Sequence, residues 1–168
     1  MATDPLAGML QRCSLHVLLM VTATTLSRSG FGDVEIQGRR KSRQKSRNGG
    51  HELLCRTTIG GQPVRVLVKV IQDKIRTRMV HEMAGCLIDF NGDIGLVISP
   101  FNSSALGAKK QVINPKLGVR VIEGSELVKL MRCSGIGVRP KGDVDYAFFG
   151  ELEARSAEFL AYLKAIKR

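Results

Sequence analysis

Tryptophan is absent from these 168 residues, and aromatic residues make up only 5%. That excludes nucleic-acid binding driven mainly by bases stacked on a broad aromatic platform. Cysteine is thinly spread. Cys13, Cys55, Cys86 and Cys133 stand far apart with no CxxC pair, and His16, His51 and His81 lack ligand spacing. A zinc ribbon or finger is thereby excluded. Cys55 and Cys86 sit inside apolar runs and read as small core residues. Reduced thiols suit a cytosolic protein, although an even count leaves disulfides open. Long apolar runs are missing too. Leu15–Met20 is followed at once by Thr22, Thr24, Thr25 and Ser27 and closed by Arg28, which is too short and too polar to span a bilayer. No basic segment leads into a small-residue cleavage site, and no internal repeat is present. Acid is in short supply, with 15 Asp and Glu against 26 Lys and Arg, a net charge of +11 and a pI near 10. An excess of that size points to a polyanionic partner, nucleic acid before membrane.

The most informative stretch is Gly49-Gly50-His51-Glu52-Leu53-Leu54, followed after a Gly60-Gly61 turn by Val64-Arg65-Val66-Leu67-Val68-Lys69-Val70. Period-two alternation marks the second run as a strand, with Val64, Val66 and Val68 on one face and Arg65, Leu67 and Lys69 on the other. If the two runs pair, Glu52 and Lys69 reach the same end of one sheet. A carboxylate for a divalent metal beside a lysine for a phosphate or a water is a minimal kit for cutting a phosphodiester. Two hairpin strands with solvated charges would read the same way.

The remaining chain alternates strands and helices, which predicts a mixed α/β sheet. A leader, Met1–Gln11, precedes a helix over Ser14–Ser29 and a strand over Gly32–Gln37. Gly38–Gly50 reads as a loop, and Glu52–Ile59 with Val64–Ile71 as a hairpin. A helix over Arg76–Phe90 places Met79, Val80, Met83, Ala84, Leu87 and Ile88 on its apolar face. Gly95–Ile98 and Val119–Ile122 read as strands, Ser104–Val112 and Ser125–Arg132 as helices. A final helix over Glu151–Ile166 carries Leu152, Phe159, Leu160, Leu163 and Ile166. A chain of this length and 43% hydrophobic content suffices for one well-cored domain.

Three motifs bear on identity. One is the Gly-Gly-His-Glu segment ending at Glu52. Another is Gly92-Asp-Ile-Gly-Leu-Val-Ile-Ser-Pro-Phe-Asn-Ser-Ser-Ala. The last is Val119-Arg-Val-Ile-Glu-Gly-Ser-Glu-Leu-Val-Lys-Leu-Met, which precedes Gly135-Ile-Gly-Val. Over residues 17–140 the chain resembles the catalytic domain of the Mrr-like restriction endonucleases, a branch of the PD-(D/E)xK nuclease superfamily. The resemblance implies a single α/β domain with a restriction-endonuclease-like mixed central sheet flanked by helices. That domain would occupy residues 14–140, after a leader over 1–13 and before a C-terminal helical extension, 141–168, packed on it. It also implies that Glu52 matches the metal-binding Asp of the family's Gly-Gly-Ile-Asp motif, and Lys69 the catalytic lysine of Gln/Glu-x-Lys. Glu52 would hold Mg²⁺ or Mn²⁺, and Lys69 would orient or deprotonate a water or steady developing charge. Ser99 matches the strand-end Thr or Ser and would bond a water or phosphate beside Glu52. The chain departs from the pattern at Leu67, which replaces the Gln or Glu two residues before the lysine. A leucine cannot ligate a metal. A nuclease-derived DNA-binding module without catalysis is therefore the competing expectation, and a small basic interaction protein a third.

Arg39, Arg40, Lys41, Arg43, Lys45 and Arg47 crowd six positive charges into the loop before Glu52. With Arg65 they are the expected contacts to a DNA backbone, sequence-independent and salt-sensitive. Gln72-Asp73-Lys74 offers an alternative Gln-x-Lys register, just past the apolar run. Asp33 and Glu35 form another possible acid pair, placed on one strand face by alternation. The expected partner is DNA, with no membrane; a homodimer or a separate DNA-recognition subunit is left open as a further expectation. A cytoplasmic location accompanies this reading.

Overall fold

The computed structural model describes residues 4–37, 52–103 and 118–166, with side chains as far as residue 158. Helix α1, Pro5–Arg12, starts where Asp4 accepts a bond from the Leu6 N–H at 2.9 Å and Pro5 supplies a helix-ready φ. Its Leu6 and Leu10, four residues apart, are fully buried. The segment expected to be a leader is thus part of the packed domain. Helix α2, Leu15–Arg28, begins at Ser14, whose hydroxyl accepts from the Val17 N–H. It buries Val17, Leu18, Val21 and Leu26.

Five strands follow: β1 Gly32–Ile36, β2 Leu53–Ile59, β3 Gln62–Val70, β4 Ile94–Ile98 and β5 Val119–Ile122. They form one sheet in the order β1-β2-β3-β4-β5. The first three pair antiparallel, and β3, β4 and β5 run parallel. The turn from β2 to β3 is a two-residue hairpin in which Gly60 and Gly61 take φ of +57° and +79°, the left-handed pair that a type I′ turn requires. A parallel neighbour needs a crossover, and helix α3, Thr77–Asp89, supplies it between β3 and β4. Helix α4, Gly124–Ser134, follows β5 and stops at Gly135, left-handed at φ +67°. Helix α5 runs over Tyr146–Ile166, starting five residues before the expected Glu151. Asp145 caps it, accepting from the Phe148 N–H at 3.3 Å.

The alternation read in β3 sorts the core. Val66, Val68 and Val70 join Leu53, Cys55, Leu96, Ile98 and Ile122 beneath α1, α2, α4 and α5. Leu67 faces the other way and packs with Val97, Val119, Val80, Met83 and Leu87 under α3. Phe149 and Leu152 tie α5 into the first cluster. The side chains of Phe159, Leu160, Leu163 and Ile166 lie outside the described residues, as does the helix expected over 104–112. Ile88, expected on the apolar face of α3, is 81% exposed. The buried stripe runs through Val80, Met83, Cys86 and Leu87, a phase that turns residue 88 outward.

Cys13, Cys55 and Cys86 are buried, Cys133 is exposed, and all four are free thiols. Burial pushes Cys13 and Cys55 from an ordinary 9.0 to about 11. A folded-state value above the unfolded one stabilises the fold below pH 9, and that contribution fades as pH rises towards 11. A thiol reagent at pH 8 should therefore modify Cys133 quickly in the native protein and reach the other three only after unfolding. Rapid native modification of more than one thiol would contradict this core.

Candidate active site

Glu52 stands immediately before β2 and grips β3 on both sides of Lys69. Its backbone N–H donates to the Val68 carbonyl at 2.9 Å, and its carboxylate Oε2 accepts from the Val70 N–H at 3.0 Å. Its own carbonyl accepts from the Gln37 N–H of the adjoining edge segment at 2.8 Å. The residue is half-buried. Lys69 shares the α3 face of the sheet with Leu67. Only 8% of Lys69 is exposed, and its Nζ donates to Glu82 Oε2 at 3.0 Å. The second Glu82 oxygen, Oε1, lies 3.2 Å from Arg78 Nε, one helical turn earlier.

Glu82 is the member of this group that the sequence reading missed. Its side chain is 14% exposed, close to the 11% of Lys69, whereas that of Arg78 is 81% exposed. Arg78, Glu82 and Cys86 fall at i, i+4 and i+8 on α3, one ridge that borders the buried stripe. That spacing was the available signal. The Cys86 thiol shows where the charges gather. Burial pushes it up first, the Lys69 ammonium pulls it down, and Asp89, Glu52 and Glu82 push it further up. Lys69 holds Glu82 at 3.0 Å, and Glu52 bonds the peptides on both sides of Lys69, so the three residues meet at the end of β3 where its chain leaves the sheet. In open α/β sheets this carboxyl end is where ligands bind.

A pair buried to this degree gains less from attraction than it loses by leaving water, unless further bonds compensate. The double variant Lys69→Met/Glu82→Leu should accordingly melt no lower than wild type, while Lys69→Met alone melts lower because Glu82 loses a buried partner. A double variant less stable than either single one would contradict this.

The other candidate residues fall elsewhere. Leu67 is fully buried, and a Cβ on Gly92 would come within 2.7 Å of its Cγ. Ser99 is fully buried; its hydroxyl donates to the Asp73 carbonyl at 2.7 Å and accepts from the Phe101 N–H at 3.0 Å. Both bonds brace the turns after β3 and β4. Arg65 lies four residues before Lys69, about 13 Å away at ~3.3 Å per residue. Arg65 is exposed, and its N–H donates to the Asp93 carboxylate at 2.7 Å. The alternative Gln72-Asp73-Lys74 register lies beyond β3. Gln72 donates to the Cys13 carbonyl, and Asp73 pairs with Arg76 at 3.3 Å. The acid pair Asp33 and Glu35 does not share a regular strand face, because the β1–β2 register shifts between Gly32 and Glu35 and Asp33 takes φ +48°. Asp33 instead pairs with Arg56 at 3.2 Å, in the open. Arg39, Arg40, Lys41, Arg43, Lys45 and Arg47 lie outside the described residues. A concavity lined by Arg132, Arg139 and Gly142 opens beyond the end of α4, and its described lining includes no carboxylate side chain.

The family model of the Mrr catalytic domain, a restriction endonuclease domain, matches residues 10–131, more than half of the chain. The chain belongs to the Mrr restriction endonuclease family. The five-stranded mixed sheet flanked by helices is this family's fold in the present chain. The Mrr-family chain is also similar to a solved structure, the MspJI restriction endonuclease in complex with a 27-mer oligonucleotide. Identity is 19% and the TM-score 0.48, over 85% of this chain and 31% of that one. It thus spans less than a third of that protein's length. No curated protein matches it. Among the described residues of this Mrr-family chain, no helix is long and apolar enough to cross a membrane. Among the same described residues, no group of three or more His, Cys, Asp or Glu is disposed to hold a metal ion.

Restriction endonucleases work with divalent metals, and the donors here suit one kind of ion. Glu52 and Glu82 offer hard oxygens, and the neighbouring thiol of Cys86, held protonated by burial, offers no soft ligand. Magnesium and manganese take one or two carboxylates and fill the remaining positions with water and substrate phosphate. The donor set therefore fits such an ion.

Proposed function

We propose that this chain is a DNA endonuclease domain that hydrolyses a phosphodiester with the help of Mg²⁺ or Mn²⁺. The observation that supports this best is the grip of Glu52 on the two peptides flanking Lys69, which fixes a carboxylate and an ammonium at one end of β3. A divalent ion supplies Lewis-acid charge at the phosphate and makes water a better nucleophile at neutral pH. Glu52 would hold that ion. The Val70 N–H bond pins one of its oxygens, so the carboxylate meets the ion in a fixed orientation. Lys69, whose N–H bonds already seek an oxyanion in Glu82, would orient the attacking water or steady the charge that grows on the phosphate. Burial of its stem excludes bulk water and strengthens that attraction.

Arg65, together with Arg39, Arg40, Lys41, Arg43, Lys45 and Arg47, would hold the DNA backbone. Each phosphate neutralised releases counterions, so affinity should fall steeply with salt. Ser99 would act by holding the turns beside the site. A homodimer or a separate recognition subunit would supply sequence preference, and the location would be cytoplasmic.

A second reading, a DNA-binding module without catalysis, is favoured by one observation: Leu67 is sealed in the core where the family carries a polar residue. Supercoiled plasmid separates the two. Under the first reading the protein nicks it with Mg²⁺ or Mn²⁺ and stops when the ion is chelated. Retardation of duplex DNA at low salt without nicking would establish the second, and neither nicking nor retardation would remove DNA from the account.

A further inference from the structure

Position 67 leaves the site one carboxylate short. Leu67 lies in the α3-side cluster, and its face of β3 is closed by Leu87 and by the close approach of Gly92. No rotamer change brings an oxygen there. The face it shares with Lys69 nevertheless receives a second acid, from the helix and not from the strand. Glu82 reaches down from α3 to Lys69 at 3.0 Å with 14% of its side chain exposed. On the helix surface it would be solvated at no cost. Its position against the sheet requires partners for both oxygens, and it has them: Lys69 Nζ on Oε2 and Arg78 Nε on Oε1. The two partners differ in kind. Lys69 is 89% buried at its side chain, whereas Arg78 is a largely exposed guanidinium that can swing away into water.

We propose that Glu82 supplies, from helix α3, the second carboxylate of a divalent-cation site shared with Glu52, and that its pairing with Lys69 and Arg78 is the ion-free state of that site. This rests on the metal-dependent reading above. In the ion-free protein the carboxylates of Glu52 and Glu82 are balanced by the cations of Lys69 and Arg78. An arriving divalent ion replaces two unit charges at Glu82 with one doubly charged centre, so the local balance is kept. Lys69 and Arg78 are then released towards an anion. A phosphodiester arriving after the ion takes up both. The two carboxylates thus hold the ion before the phosphate arrives, and the helix-borne acid replaces what the strand lacks at residue 67.

Binding of Mn²⁺ to the metal-free full-length chain, without DNA, tests this by titration calorimetry or water-proton relaxation. Wild type should bind one ion. Glu52→Gln should remove that binding. Glu82→Gln should weaken it at least about tenfold, since even residues that only support a ligand cost ~10–100-fold in affinity. Arg78→Gln should tighten binding in the wild-type background and not in Glu82→Gln, because it removes a competitor for Glu82. Circular dichroism confirms that each variant is folded; should Glu82→Gln fail to fold, Glu82→Asp and the Arg78→Gln comparison carry the test. Binding that is lost in Glu52→Gln but unchanged in Glu82→Gln overturns the role of Glu82 and leaves the metal-dependent reading intact. Absence of Mn²⁺ binding in folded wild type overturns the metal-dependent reading itself.

Discussion

Glu52→Ala and Lys69→Ala each lower plasmid nicking by about 10³-fold or more, the scale expected when a group that meets developing charge is removed. The two changes act on different parts of one arrangement. Glu52→Ala deletes the carboxylate that would hold the ion, and it also frees the Val70 N–H. Lys69→Ala deletes the ammonium and leaves Glu82 paired with Arg78 at 3.2 Å. Residues that serve one step are strongly non-additive. The double variant should therefore be little worse than either single one. Arg65→Ala, by contrast, lies at the other end of β3 and should weaken DNA binding and flatten its salt dependence without changing the nicking rate at saturating DNA. Losses from Glu52→Ala and Lys69→Ala that multiply would mean that the two residues serve separate events.

Leu67→Glu destabilises the domain by about 3–5 kcal/mol, the cost of an uncompensated buried charge, and restores no cleavage. At roughly 2–4 °C per kcal/mol for a chain of this size, the melting point should drop by ~6–20 °C. The substitution appears conservative in a motif alignment, since the family carries Gln or Glu at that place. The packing forbids it here. Leu67 is fully buried among Val80, Met83, Leu87 and Val97, and the cation on its face, Lys69, is already engaged by Glu82. A carboxylate at 67 would have to compete with Glu82 for Lys69. Leu67→Met, close in volume, should cost less than about 1.5 kcal/mol. If Leu67→Glu instead melted like wild type and cut DNA faster, the strand position would be the natural site of the second acid, and Glu82 would be its substitute only by proximity.

The strand that carries the site was legible because it is local. Alternation over Val64–Val70 states which residues share a face, and the Gly60-Gly61 pair states how the chain reverses; both appear as read. That Glu52 stands beside Lys69 at one end of the sheet followed from those two facts. What escaped the sequence depended on distant partners. Residues 5–12 looked like a leader because a short apolar stretch does not state what it packs against, yet Leu6 and Leu10 join the core cluster that α2 and α4 share. The acids of β1 looked paired because alternation assumes a regular strand, and a register shift with a left-handed Asp33 breaks it. Glu82 was missed because its helical spacing does not say that its carboxylate meets a lysine thirteen residues earlier across the helix–sheet interface. Buried polar pairs of this kind are specified by the fold.

The most direct measurement is a crystal of the chain soaked in Mn²⁺, with the ion located by its anomalous scattering. The account predicts a peak about 2.0–2.2 Å from a Glu52 carboxylate oxygen, on the α3 side of the sheet. A saturating soak that leaves Glu52 bonded only to protein, with Mn²⁺ bound elsewhere or not at all, would contradict it.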